Sequence, residues 1–262
     1  MKFCSLASGS SGNSLYVETE KSKFLIDAGL SGVAVQKLLQ SIGVKAEELN
    51  FIMVTHEHSD HSKGVGVLSR RFNLPILANY QTWLAMDRTI GKIKEENIFV
   101  FKSDSDLEIR DLDIHPMSIY HDSVEAVGYV IESKNKKLSI LTDTGFVSEE
   151  MKSKIKGSDL YFLEANHDPK MLETGPYPEM LKKRVRGLKG HLSNIDCGKI
   201  LGDMLTGMGE SVFLSHLSEE NNTPDLAYST VTKYLSSLGL DTKNDAIIEV
   251  AGRYAPSKLI EL

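Results

Sequence analysis

The stretch "THEHSDHSKG", from Thr55 to Gly64, places three histidines and one aspartate within six positions, directly after the apolar run 51–54. Imidazole and carboxylate groups are costly in an apolar core unless they are paired, but they are good ligands for a divalent cation. The apolar run predicts a buried strand that delivers these side chains into a loop. The stretch therefore predicts a metal site at the end of a strand.

Alternation along this loop divides the four side chains into two pairs. His56 and His58 can point the same way, because alternate residues of an extended segment share a face. The adjacent Asp60 and His61 must point in other directions than that pair. We therefore expect two pairs of ligands that serve two metals. Asp60 can also cap the following helix. The pattern is not the helical HExxH zinc motif, because position 60 is aspartate. The alternative is a polar capping loop with surface histidines, which the crowding of an uncommon residue disfavours.

The bulk composition is that of a globular protein, with 262 residues, 41% of them hydrophobic and 25% charged. A formal net charge of −6 argues against coating of nucleic acid by bulk positive charge, so any such contact must be local. The two cysteines, Cys4 and Cys197, are too few for a disulfide scaffold and favour a cytoplasmic location. No apolar run has the length of a signal-peptide core or a membrane span, so we expect no membrane partner.

Short apolar runs and helical periodicities alternate along the chain without a repeat or a linker, which favours a single domain over 1–262. The predicted strands are 2–6, 14–19, 23–26, 51–54, 75–78, 98–101, 107–111, 114–120, 127–132, 138–141, 160–164, 211–215 and 246–250. The predicted helices are 33–42, 62–72, 148–155, 178–185, 195–205 and 225–238. The first two strands read as a hairpin around "GSSGNS", and the four strands from 107 to 141 read as an antiparallel meander.

Further acidic and histidine positions follow in a fixed order, with Asp27 in "LIDAG", His121 after a strand, Asp143 in "LTDTG" and His216 in "LSHLS". Together with the opening stretch they resemble the HxHxDH pattern of the metallo-β-lactamase-fold superfamily over essentially the whole chain. The resemblance implies an α/β fold, the four-layer αββα sandwich. It also implies two divalent metal ions, with zinc or manganese favoured over iron.

Carried over position by position, the resemblance implies seven metal ligands. One metal would be bound by His56, His58 and His121, the other by Asp60, His61 and His216, and Asp143 would bridge the two. Asp143 would take part in catalysis by bridging the two metals that lower the pKa of the attacking water, whereas Asp60 and Asp27 would hold the geometry rather than transfer protons. Asp27 would do so by supporting the ligand histidines from outside the metal site. His115 has no counterpart in the family pattern, so we expect it to be structural.

Two further stretches indicate the substrate class. Gly190 to Ser193 in "GHLSN" resembles an element of the phosphodiesterase branch in which the histidine, here His191, faces the scissile phosphate. Glu164 in "FLEAN" resembles the acidic residue that pairs with it. The full motif set looks similar to the WalJ (YycJ) group of bacterial proteins, which implies a 5′-to-3′ exonuclease on duplex DNA linked to mismatch repair.

A basic stripe, residues 182–189, lies directly before His191 and holds five cations in eight positions. Such local charge suits a phosphate backbone, whereas a solvated helix face is the alternative. The residues predicted to contact substrate are Lys182, Lys183, Arg186, Lys189 and Ser193.

Two other functions remain open from the sequence. A small-molecule hydrolase of the same fold, acting on a cyclic phosphodiester, a thiolester or a lactone, would be favoured by a closed cavity rather than an open groove. A non-hydrolytic metal-binding sensor would be favoured by a missing ligand. The sequence also leaves open the identity of the metals, DNA against RNA, the polarity of cleavage and the oligomeric state.

Overall fold

Two sheets of seven strands form the centre of the fold in the computed structural model, which describes residues 1–242 and 244–262. Within these residues the strands are β1 (Lys2–Ala7), β2 (Ser14–Glu18), β3 (Lys23–Ile26), β4 (Phe51–Met53), β5 (Ile76–Asn79), β6 (Ile98–Phe101), β7 (Leu107–Ile109), β8 (Leu112–Ser118), β9 (Val127–Ser133), β10 (Lys136–Leu141), β11 (Leu160–Glu164), β12 (Glu210–Ser215), β13 (Ala246–Val250) and β14 (Ile260–Glu261). The α-helices are α1 (Gly32–Ser41), α2 (Ser59–Ser62), α3 (Val65–Phe72), α4 (Tyr80–Ile90), α5 (Glu149–Ile155), α6 (Pro169–Thr174), α7 (Glu179–Arg186), α8 (Asn194–Met204) and α9 (Pro224–Ser237).

The strand order is β14-β1-β2-β3-β4-β5-β6 in the first sheet and β13-β12-β11-β10-β9-β8-β7 in the second. In the first sheet β1 to β3 are antiparallel and β3 to β6 are parallel. In the second sheet β7 to β10 form an antiparallel meander and β10 to β13 are parallel. Parallel neighbours need crossover connections, and the helices provide them. The predicted opening hairpin and the predicted meander are confirmed.

Side chains alternate between two environments along the central strands, because successive residues point to opposite faces of a sheet. Phe3 of β1 packs between the sheets, with its ring centroid 5.6 Å from that of Phe162 and 5.5 Å from that of Phe213. The neighbouring Cys4 and Tyr161 face the outer layers instead, where helices cover each sheet. The layers are helices, sheet, sheet and helices, which confirms the αββα fold class.

Strands β3, β6, β11 and β13 have the predicted bounds. The predicted helix 62–72 is wrong at its start, because the chain forms α2 and then α3 with a break at Gly64. A Cβ atom at Gly64 would lie 2.4 Å from the carbonyl oxygen of Leu30, so the backbone approaches too closely for a side chain there. The prediction that Asp60 caps a helix is also wrong, since His58 is the N-cap residue of α2 and Asp60 lies inside its first turn.

Three elements, α4, α6 and β14, are absent from the predicted set. In α4 the residues Trp83, Met86 and Ile90 are buried at helical spacing, and the Asn79 side chain accepts a hydrogen bond from the backbone N–H of Thr82 at 2.8 Å. Both signals are readable in the sequence. Among the described residues, none of the helices combines the length and the apolar character that a bilayer span requires.

Candidate metal centre and active site

The predicted site residues meet at one edge of the two sheets. Asp27 follows β3, the cluster His56 to His61 follows β4, and Asp143 and His216 follow β10 and β12. Each of these strands has at least one parallel neighbour, β3 pairing with β4 and β10 with β11, and the carboxyl ends of parallel strands meet at one sheet edge, where α/β proteins commonly place their ligands. The topology therefore brings together residues that are far apart in sequence.

Three histidines form the first candidate ligand group, His56, His58 and His121. Their ring centroids are 4.6 to 5.0 Å apart, and Nε2 of His121 lies 3.3 Å from Nδ1 of His58. One nitrogen from each ring lies within 4.8 Å of the other two. Three converging imidazole nitrogens are a donor set that suits zinc and related divalent ions.

Asp60, His61 and His216 form the second ligand group. The Asp60 carboxylate oxygen Oδ2 lies 3.6 Å from Nε2 of His61 and 3.9 Å from Nε2 of His216. Asp60 and His61 are adjacent in α2, and both contribute to this group. The structure thus places the two predicted pairs of the opening stretch in two different groups.

Asp143 lies between the two groups. Its Oδ2 is 3.1 Å from Nε2 of His61, and its Oδ1 is 3.1 Å from Nδ1 of His216 and 4.0 Å from Nε2 of His121. It also shares a ligand group with His56. A carboxylate in this position can reach both sides of the centre.

Several buried atoms of this cluster have no hydrogen-bond partner, including Nε2 of His56, Nε2 of His216 and Oδ2 of Asp143. A buried polar atom without a partner costs free energy, so such atoms mark a place where another ligand belongs. All three are ligand atoms of the type that divalent metals take. The residues present therefore fit a divalent metal centre.

Asp27 and Thr55 hold the ligand histidines in place. Oδ2 of Asp27 lies 2.7 Å from Nδ1 of His61, so Nε2 of that ring is the atom directed to the metal site. The hydroxyl of Thr55 donates to Asp27 at 2.8 Å and lies 3.0 Å from Nδ1 of His56. The predicted position of Asp27 agrees with this geometry. Thr55 is not among the predicted site residues, although it is recognisable in the sequence as the residue that ends the apolar run.

Three of the site residues have left-handed backbone conformations, with φ of 62° at Asp27, 57° at Asp143 and 51° at His216. Residues with a Cβ atom adopt this region infrequently, and aspartate, asparagine and histidine are the non-glycine residues most enriched there. The strand ends thus turn sharply so that each side chain points into the site, a form of backbone strain that concentrates at functional sites.

The electrostatics of the cluster favour an anionic Asp143 and cationic His61 and His216, whereas burial lowers the pKa of His56 and of His121. Burial by itself raises the pKa of Asp143, but the nearby His216 and His61 outweigh it and hold that pKa well below its ordinary value. Burial by itself lowers the pKa of His216, but Asp143, Asp60 and Glu164 raise it to about 10. The pKa of His61 is raised against burial by Asp143 and Asp27. Bound protons thus occupy two of the rings.

Glu164 and His191 form a second network beside the metal ligands. Oε1 of Glu164 accepts from Nδ1 of His191 at 2.7 Å and from Nδ1 of His216 at 2.8 Å. Its Oε2 accepts from the backbone N–H groups of Thr144 and Leu192. Burial by itself lowers the pKa of His191, but Glu164 raises it above its ordinary value. The side chain of His191 is 20% exposed, so this ring can reach a substrate.

The basic stripe contains one buried lysine, which bonds to the protein, and four exposed cations. Lys182 is only 8% exposed, and its ammonium donates to the carbonyl oxygen of Glu173 at 2.6 Å, which ties α7 to α6. The exposed members are Lys183, Arg184, Arg186 and Lys189, of which Arg184 forms an ion pair with Asp122.

Two of the predicted substrate contacts therefore need correction. Lys182 is wrong as a substrate residue, because its ammonium is buried against the protein. Ser193 is wrong for a similar reason, since it is buried as the N-cap of α8, where its hydroxyl accepts from the N–H of Asp196 at 3.1 Å and donates to its carboxylate at 2.7 Å. His115 pairs with Asp106 at 2.6 Å on β8, in agreement with its expected structural role.

Comparison with known proteins agrees with this geometry. Residues 22–216 match a family model described as a β-lactamase superfamily domain. The chain is 41% identical over 239 residues to exodeoxyribonuclease YycJ of Bacillus anthracis, which covers 91% of this chain and 90% of that protein. It is also 41% identical over 241 residues to exodeoxyribonuclease WalJ of Streptococcus pneumoniae, with the same coverage. The chain belongs to the YycJ/WalJ family of the β-lactamase superfamily.

Family membership confirms the resemblance found in the sequence. A solved structure, the metallo-β-lactamase-fold protein YhfI of Bacillus subtilis, superposes on the chain with a TM-score of 0.71 at 17% identity and covers 98% of both chains. At this identity the likeness shows the fold alone.

Metal binding is expected to release protons. Because the pKa of His216 is raised to about 10 and that of His61 is also raised, both rings are protonated near neutral pH and each must lose a proton before its Nε2 can bind a metal. Each released proton increases the apparent affinity about tenfold per pH unit while the pH stays below that pKa. Titration calorimetry in buffers of different ionisation enthalpy measures the released protons, and an affinity independent of pH between about 6 and 8 would contradict the assignment.

Proposed function

We propose that this protein is an exodeoxyribonuclease that depends on two divalent metal ions and cleaves duplex DNA in the 5′-to-3′ direction. The observation that carries the proposal is the position of His191, held by Glu164 at 2.7 Å directly beside two candidate groups of metal ligands. The names of the relatives, exodeoxyribonuclease YycJ and WalJ, support the same reaction and substrate.

In the proposed centre the seven predicted ligands would hold two ions, and Asp143 could contribute to both ligand groups. Zinc or manganese is proposed, with iron as the third candidate. Bound there, divalent ions supply Lewis acidity toward the phosphate and a water of lowered pKa. The anionic Asp143 and Asp60 keep the ligand geometry, and Asp27 fixes the orientation of His61.

The role of His191 is proton donation. Its Nδ1 is bonded to the Glu164 carboxylate, so Nε2 is the atom that can face the substrate. Cleavage of a phosphodiester leaves a negatively charged oxygen, which a protonated imidazole can neutralise. Glu164 keeps that imidazole charged and oriented, and it is a positioning residue because its own oxygens are occupied by protein donors.

A single domain over 1–262, a cytoplasmic location and a link to mismatch repair stay proposals. The single domain is supported by the core between the sheets, to which Phe3 and Phe213 from the two halves of the chain both contribute. The reducing location is supported by Cys4 and Cys197, both free thiols in the structure.

The proposal is tested by incubating metal-reconstituted protein with labelled linear, circular, single-stranded and duplex substrates and identifying the product ends. We expect mononucleotides from the 5′ ends of linear duplex DNA and no cleavage of closed circles. Hydrolysis of cyclic phosphodiesters, thiolesters or lactones in place of DNA would favour a small-molecule hydrolase, and metal binding without any hydrolysis would favour a sensor.

The exposed part of the basic stripe is expected to contact the DNA backbone. Neutralising Lys183, Arg186 and Lys189 together should weaken DNA binding and reduce the slope of log affinity against log salt by about 0.9 for each phosphate that no longer pairs with a cation. Hydrolysis of a small activated phosphodiester should survive, because that substrate does not reach the stripe. Binding measured across a salt series tests this expectation.

A control variant with the same change in charge is available at the opposite end of the second sheet. Lys134, Lys136 and Lys137 lie around the turn between β9 and β10, and their neutralisation should leave the salt slope unchanged. If the stripe variant kept the parental slope, residues 182–189 would be only a solvated surface, and the support for a polymeric substrate would weaken.

A further inference from the structure

Exposed aromatic side chains lie on the loops that carry the proposed metal ligands. Tyr120 directly precedes His121, and Phe146 follows Asp143 by three positions. Each of the two aromatic side chains is 42% exposed, and neither belongs to the apolar cores. Large apolar side chains that cluster on a protein surface commonly mark a place where something binds.

Tyr120 and Phe146 form one unit. Their ring centroids are 5.3 Å apart with an interplanar angle of 75°, the edge-to-face arrangement that aromatic pairs favour. The backbone N–H of Gly145 donates to the carbonyl oxygen of Tyr120 at 3.1 Å, and the N–H of Tyr120 donates to the hydroxyl of Thr144 at 3.3 Å. The N–H of Thr144 in turn donates to Glu164. The pair is therefore fixed relative to the carboxylate that holds the proposed proton donor.

The end of the basic stripe lies beside the pair. A Cβ atom at Gly145 would lie 2.2 Å from the carbonyl oxygen of Gly187, so the loop of Phe146 contacts the end of the basic stripe directly. Leu188 in that turn is 68% exposed. On the other side, the ion pair between Arg184 and Asp122 joins the stripe to the loop of Tyr120.

We infer that Tyr120 and Phe146 form a stacking platform for the nucleobase next to the scissile phosphate. The inference rests on the proposed nuclease function. Aromatic rings beside cations are the combination that binds unpaired nucleic acid, because bases stack on rings while phosphates pair with the cations. In this inference the end nucleotide leaves the duplex stack when its phosphate enters beside His191, and the platform replaces the stacking that the base loses.

The test combines a change in the protein with a change in the DNA. The double variant Tyr120→Leu/Phe146→Leu keeps apolar side chains and removes the ring planes. The substrates are linear duplexes with either a normal or an abasic nucleotide at the end that is cleaved. We expect the parent to lose about tenfold in kcat/KM on the abasic duplex, and the double variant to be about tenfold slower on the normal duplex with no further loss on the abasic one.

A second readout does not depend on cleavage. The fluorescence of 2-aminopurine is quenched when it stacks, so a duplex with this base at the same position and a non-hydrolysable linkage beside it should be quenched by the metal-loaded parent and not by the double variant. Phe99→Leu is the control, since Phe99 is a 50% exposed aromatic residue on the edge strand β6, and it should behave like the parent in both assays. Metal content should be unchanged in all variants.

The outcomes separate this inference from the proposed function. The platform would be overturned, even if the protein cleaves DNA, if the abasic nucleotide lowered kcat/KM by the same factor in the double variant as in the parent. Equal quenching of 2-aminopurine fluorescence by the parent and the double variant would overturn it too. If the parent quenched 2-aminopurine and the double variant did not, the base contact would stand even if no substrate were cleaved. A double variant that was equally impaired on a small phosphodiester without a base would also overturn the inference, because the rings would then only shape the site.

Discussion

Asp143→Asn is expected to lower phosphodiester cleavage by at least a factor on the order of a thousand and to reduce the bound metal below that of the parent. Asp143 is the carboxylate that lies between the two ligand groups, 3.1 Å from His61 and 3.1 Å from His216. The substitution replaces the carboxylate that both ligand groups share by a neutral amide. It also removes the main negative charge beside the imidazoles of His61 and His216.

The substitution to asparagine is chosen because of the backbone. Asp143 has a φ of 57°, a conformation that asparagine tolerates and alanine does not, so Asp143→Asn removes the charge without adding strain. Asp104→Asn is the matched control, because Asp104 has a φ of 58° and its carboxylate bonds Ser118 away from the cluster. Metal analysis and a cleavage assay on both variants decide the question. Full metal content together with full activity in Asp143→Asn would exclude a shared ligand at this position.

Much of the centre was predictable because each ligand follows an apolar run. The run 51–54 places the opening stretch at a strand end, and the same logic holds for Asp143 after β10 and His216 after β12. What joins these ends is the parallel pairing on both sheets, which periodicity cannot show and which the family resemblance supplied. The left-handed backbone at Asp27 was equally hidden, because aspartate in a strand-end turn has no sequence signature for its φ value.

Other features could not be predicted because they depend on which face of a helix is covered. Lys182 and Lys183 are adjacent and chemically alike, yet only the first is buried, with its ammonium bonded to α6. Ser193 reads equally well as a substrate contact or as a helix cap, and only the hydrogen bonds to Asp196 decide between them. The contact of Glu164 with both His191 and His216 could not be predicted either. It depends on the relative positions of three segments that are far apart in sequence.

His191→Ala is expected to keep the metal content of the parent while losing on the order of a hundredfold or more in the rate of DNA cleavage. The imidazole is bonded to Glu164 and is not needed to complete either the three-histidine or the Asp-His-His ligand group. Its loss removes the proton for the departing oxygen and leaves the ligands in place. Substrates with a good leaving group need that proton least, so cleavage of an activated aryl phosphodiester should fall much less than cleavage of DNA.

His115→Ala provides the matched control for this experiment. His115 also bonds a carboxylate through Nδ1, at 2.6 Å from Asp106, but it lies on β8 outside the ligand groups. It should retain both metal and activity, so a loss confined to His191→Ala cannot come from removing a histidine–carboxylate pair in general. If His191→Ala lost metal in parallel with activity, or lost the same factor on DNA and on the activated ester, the residue would act through the metal centre and the proton-donor role would be wrong.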